Sequence, residues 1–102
     1  MKKYRPSIKI GPIYKEFGAY LKNKRTKAQL SQTEVSEALG YTSPQFVSNF
    51  ERGLCSPPLP KLKVLMGLYK IPVKEMTERL LDQQRRYLAK ELSGAKKKKR
   101  AS

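Results

Sequence analysis

A chain of 102 residues, 38% hydrophobic and 30% charged, has material for one domain with a small core and length left for polar ends. With no histidine and one cysteine, it lacks the donors for a His/Cys zinc site, a thiol–imidazole pair or an internal disulfide. Lys and Arg outnumber Asp and Glu by 23 to 8, which admits nucleic acid, anionic membrane or acidic protein as a partner without choosing among them.

Residues 1–12 read as a basic arm, because Pro6, Gly11 and Pro12 oppose regular structure. A first helix is expected from about Ile13 to Ala28, with Ile13, Tyr14, Phe17, Tyr20 and Leu21 at spacings of three and four. Lys22, Lys24, Arg25 and Lys27 crowd its end, where cations complement the helix dipole and are also placed to clamp phosphates. The next segment, Leu30-Ser31-Gln32-Thr33-Glu34-Val35, carries a helix start. Ser31 and Glu34 form a capping box, and Leu30 and Val35 occupy the positions of a hydrophobic staple. Val35, Ala38 and Leu39 would be the buried stripe, and Gly40 the left-handed end.

After a turn at Tyr41-Thr42, Ser43 is expected to cap a third helix over 44–52, with Pro44 at its first position and Gly53 closing it. Pro57, Pro58 and Pro60 open a fourth, with Leu59, Leu62, Leu65, Met66 and Tyr69 facing inward. A fifth begins near Val73 and runs to about Ser93. Gly94 and the run Lys96 to Arg100 read as a disordered basic tail. No strand pattern or internal repeat is visible, so the expected class is all-α. No apolar run reaches the roughly 18 residues that would span a bilayer, and no apolar segment follows the charged N-terminus to make a secretory signal. The expected setting is therefore cytoplasmic, where Cys55 would be a reduced, inert small residue.

The third helix carries the chemistry. Charge is absent from Ala38 to Phe50, although residues 1–29 hold nine Lys and Arg against Glu16 alone. At about 100° per residue, Gln45, Ser48, Asn49 and Arg52 form one stripe and Phe46, Val47 and Phe50 the opposite one. Side-chain amides can bond adenine N6 and N7 together, and arginine can fork onto guanine, whereas lysines bind phosphate without reading sequence. Glu51 lies at the edge of the apolar stripe, so it needs a buried partner; Arg25 is the candidate, in a structural ion pair. Eight carboxylates, mostly at helical spacing from cations, and no nucleotide-binding glycine loop argue against an enzyme, and neither cofactor, metal nor small-molecule ligand is expected.

Leu30-Ser31-Gln32-x-Glu34-Val35-x-x-x-Leu39-Gly40, followed by Val47-Ser48-x-Phe50-Glu51-Arg52-Gly53, resembles the lambda-repressor/Cro-type (XRE-like) helix-turn-helix family. The likeness covers about Phe17 to Met76 and includes Arg25, the Pro57-x-Leu59 start of the fourth helix, and Ile71-x-Val73-x-Glu75-Met76. It implies a five-helix domain over 13–76 whose second and third helices read double-stranded DNA. By that resemblance Gln45, Asn49, Arg52 and Ser48 would touch bases. Gln32, Ser43, Thr42, Lys24, Lys27, Lys61 and Lys63 would touch the sugar-phosphate backbone, and Arg25 with Glu51 would be the internal ion pair. The turn after Gly40 is one residue longer than is usual, and Pro44 replaces a frequent base contact. Lys24 stands where an apolar residue is common and would reach outward. Phe46 stands where a small polar residue is frequent; we expect core packing, the other reading being apolar contact with a thymine methyl.

The function this implies is a sequence-specific transcriptional regulator, a repressor in preference to an activator. The rival readings are a non-specific nucleoid-associated protein and an antitoxin or adaptor that uses its last helix for protein contacts. In residues 73–93, Met76, Leu80, Tyr87 and Leu92 either complete the core of one chain or form a homodimer contact, the latter being expected of 77–93. The tail is read as a phosphate clamp or a solubilising end.

Overall fold

The computed structural model describes the backbone of residues 12–100 and the side-chain surroundings of 14–93. The basic arm, apart from Pro12, and the last two residues lie outside this range. Five helices follow in order: α1 (Pro12–Lys27), α2 (Gln32–Leu39), α3 (Gln45–Glu51), α4 (Leu59–Tyr69) and α5 (Val73–Arg100). No strand occurs among the described residues.

Local chemistry sets the ends of these helices. Pro12 sits at the first position of α1, where its missing N–H costs nothing, so the proline expected to block structure opens the helix. At α2 the capping box is complete: Glu34 N donates to Ser31 Oγ at 3.0 Å, and Ser31 N donates to Glu34 Oε1 at 2.8 Å. Gly40, at φ +85°, turns the chain out of α2 in the left-handed conformation. The regular part of α3 starts after Pro44, later than predicted, and Ser43 contributes only a long cap, accepting from Gln45 N at 3.3 Å.

Phe17, Leu21, Val35, Leu39, Val47, Phe50, Leu62, Leu65, Tyr69, Ile71 and Met76 converge in one core. Three apolar positions depart from the predicted pattern. Ala38 is exposed and Ser36 is buried in its place, because α2 turns that neighbouring face toward the core. Leu59 is 71% exposed: at the first turn of α4 it precedes the point where the helix meets the core. Phe46 is 50% exposed, with Val47 and Phe50 filling the core behind it.

The last helix lies antiparallel along α1. Tyr20 Oη donates to Glu75 Oε2 at 2.5 Å, and Arg79 lies over the Tyr20 ring at 4.1 Å. Farther along, Arg86 forks onto the two carboxylate oxygens of Glu16, and Tyr87 packs tilted on Tyr14 at 6.1 Å. Of the predicted dimer set, Met76 is buried and Leu80 packs against the core, while Tyr87 stays 37% exposed beside Tyr14 and Leu92 is 73% exposed. Leu81 and Leu88 are exposed too, at helical spacing from Leu92. The helix also continues through Gly94 and the lysine run to Arg100, where a disordered tail was expected. Lysine and alanine are good helix formers and C-terminal cations suit the dipole, which offsets the cost of about 1 kcal/mol for one glycine. No described helix is long and apolar enough to cross a membrane.

Candidate nucleic-acid interface

The polar stripe of α3 is held from behind. Val47 and Phe50 anchor the helix in the core, and the end of α3 rests directly on α1. Two glycines make that approach possible. A Cβ on Gly18 would lie 2.6 Å from Phe50 O, and one on Gly53 would lie 2.8 Å from the Lys15 backbone. Gly53 also adopts φ +76°, while Leu54 N donates back to Asn49 O at 2.9 Å to close α3.

Arg25 and Glu51 lock the same junction. Arg25 Nε and Nη2 donate to the two Glu51 oxygens at 2.6 and 3.1 Å, and Arg25 Nη1 donates to Leu30 O at 2.8 Å. Gln32 Nε2 adds a third donor to Glu51, at 2.9 Å. One carboxylate therefore ties α1, the start of α2 and the end of α3 together. Its hydrogen bonds push the Arg25 pKa above the ordinary guanidinium value against the opposing effect of burial.

Toward solvent, Gln45, Asn49 and Arg52 form one hydrogen-bonded row. Gln45 Nε2 donates to Asn49 Oδ1 at 2.9 Å, and Arg52 Nη2 donates to the same oxygen at 2.8 Å. With Oδ1 doubly engaged, Asn49 has its Nδ2 hydrogens and Gln45 its Oε1 to offer a partner. Ser48 is half-buried beside them, and Thr42 and Ser43 are exposed at the preceding turn.

The predicted backbone contacts separate into two groups. Lys27 and Lys63 are exposed. Lys61 and Lys24 are engaged within the fold: Lys61 Nζ donates to Leu39 O at 2.6 Å and lies 5.1 Å from the Tyr41 ring centre. Lys24, expected to reach outward, instead bridges to Glu75 at 3.1 Å on the seam between α1 and α5. Glu75 there accepts from Tyr20 and Lys24, which lowers its pKa, the tyrosine hydrogen bond being the larger cause. Gln32 has one Nε2 hydrogen committed to Glu51, leaving its second for a partner.

Sequence reasoning missed Gly18 and Tyr41. A lone glycine inside an amphipathic helix was the available signal for Gly18, since it costs about 1 kcal/mol relative to alanine unless a close approach requires it. Tyr41, read only as part of a turn, stacks on Phe46 at 4.6 Å and touches Phe50 at 6.4 Å. Among the described residues, no cluster of His, Cys, Asp and Glu could hold a metal ion. Burial raises the Cys55 pKa, in keeping with an unreactive thiol.

A protein-family profile described as a helix-turn-helix domain matches residues 16–80 of the chain. No curated protein matches it. The matched segment contains α2, α3, the Arg25–Glu51 pair and the polar row.

Proposed function

Because the chain belongs to the helix-turn-helix family, in its lambda-repressor/Cro (XRE-like) class, we propose that it is a sequence-specific DNA-binding regulator that reads the major groove with α3. The row Gln45–Asn49–Arg52, joined through Asn49 Oδ1 on the outer face of a core-anchored helix, carries this reading. The hydrogen bonds fix the three side chains relative to one another, so less conformational freedom is lost on binding. Gln45, with Oε1 and one Nε2 hydrogen free, would pair with adenine, Asn49 would donate its Nδ2 hydrogens to a base acceptor and Arg52 would bond guanine, with Ser48 beside them. Gln32, Ser43, Thr42, Lys27 and Lys63 would set the register on phosphates. Lys61 joins them with the ammonium hydrogens that Leu39 O does not take. Lys24 is the weakest member, being held by Glu75.

The action that follows is repression by occupancy, which needs only tight binding at a promoter. It would take place on DNA in the cytoplasm and requires no cofactor or catalysis. A homodimer belongs to the proposal, with Leu81, Leu88 and Leu92 as the exposed apolar stripe of α5 that a second copy would cover. Sequencing of oligonucleotides selected by the purified chain tests both parts. A two-fold symmetric motif is expected; a single unrepeated half-site would remove the dimer, and the absence of any enriched motif would remove sequence-specific reading.

A further inference from the structure

From the Tyr41–Phe46 stack at the flank of α3 we infer that Phe46 reads the C5-methyl group of a pyrimidine, that of thymine, in the major groove. This inference rests on the DNA-reading assignment of α3 and adds a specificity determinant that its polar row does not supply.

Phe46 is 50% exposed although the core behind it is closed by Val47 at 2% and Phe50 at 3%. The ring is not loose on the surface. It stacks on Tyr41 with centres 4.6 Å apart and planes 27° apart. Tyr41 is braced in turn by buried Phe50, and by Lys61, whose Nζ lies 5.1 Å from the tyrosine ring while donating to Leu39 O at 2.6 Å. One side of the Phe46 ring is therefore pinned to Tyr41, and the remainder is a pre-positioned apolar surface. It follows Gln45 directly and precedes Asn49 by three, so on the helix it borders the polar row.

The chemistry of the groove selects the partner. A phenyl ring cannot hydrogen-bond a base edge, and the one apolar feature the major groove offers is the thymine methyl. That methyl lies at the outer edge of its base pair, toward the groove wall, where a residue flanking the central row arrives. Pairing of Gln45 with adenine also places a thymine across the same base pair. The expected site therefore carries a thymine within one step of an adenine read by α3. Cytosine methylated at C5 presents the same group, so the shared chemistry is the pyrimidine methyl.

The test starts from a site selected by the intact chain. Each thymine is replaced in turn by deoxyuridine, which removes only the methyl, and affinity is read by fluorescence anisotropy. At one position binding should weaken about fourfold, the equivalent of exposing one buried methyl group. Phe46→Ala should bind the thymine site about as weakly as the unaltered chain binds the uracil site, and should show no further response to uracil. Its urea midpoint, measured alongside, reports whether the variant is folded. Cytosine against 5-methylcytosine at the same position separates the sources: a gain only in the thymine arm assigns thymine, and a gain in both assigns the methyl in either base. A motif with no thymine sensitive to methyl loss overturns the inference and leaves the DNA reading standing, as does sensitivity that persists unchanged in Phe46→Ala. Failure to select any motif removes both.

Discussion

Replacing Glu51 with glutamine should damage this fold far more than its small change in volume suggests. The carboxylate accepts from Arg25 Nε and Nη2 and from Gln32 Nε2, with 4% of the Glu51 side chain and 11% of the Arg25 side chain exposed. Glutamine retains one oxygen for these donors but strands the guanidinium charge, and breaking a buried pair in this way costs about 3–5 kcal/mol. The retained oxygen places Glu51→Gln near the lower value, about 3 kcal/mol. With a urea slope of about 1–1.5 kcal/mol/M for so small a domain, the unfolding midpoint should fall by roughly 2–3 M, read by circular dichroism at fixed temperature. The double variant Arg25→Met/Glu51→Leu removes both charges and should cost less than the sum of its single substitutions, since neither ion is left unpaired. A loss under about 1 kcal/mol for Glu51→Gln, or strict additivity in the double variant, would refute the argument that this pair holds α1, α2 and α3 together.

Other outcomes are equally direct. Gly18→Ala should lower the urea midpoint by the equivalent of about 1–3 kcal/mol, because its new Cβ meets the backbone carbonyls that end α3 rather than a movable side chain. Ser31→Ala should cost about 1 kcal/mol through loss of one half of the capping box. Acid should weaken the seam between α1 and α5. The folded pKa of Glu75 is depressed, so its contribution is complete above the ordinary carboxylate pKa and is lost as pH falls through the depressed value. A Tm–pH profile should therefore be shallower on the acid side in Glu75→Gln than in the unaltered chain.

The parts of the fold legible in sequence are those set by short-range chemistry. Ser31 and Glu34 announce α2 because a capping box is a contact between neighbours in the chain, and Gly40 marks its end for the same reason. Arg25 and Glu51 are 26 residues apart, yet a carboxylate on an apolar helix edge demands a cation, and a basic helix end was nearby to supply one. Phe46 and Leu59 were misplaced because a helical wheel locates the apolar half of a helix but not where the neighbouring helix stops. Lys24 was misread because its partner, Glu75, comes from the last helix, and the packing of α5 against α1 is a tertiary fact that no local pattern encodes. The polar row was legible as a stripe, whereas the sharing of Asn49 Oδ1 by Gln45 and Arg52 emerged only from side-chain geometry.

Comparing Gln45→Ala with the unaltered chain on a selected site and on random DNA at fixed salt tests most directly whether α3 reads sequence. A loss of about 1–3 kcal/mol is expected on the selected site and almost none on random DNA. Equal losses on the two would contradict sequence reading by α3, because Gln45 would then contribute only sequence-independent affinity.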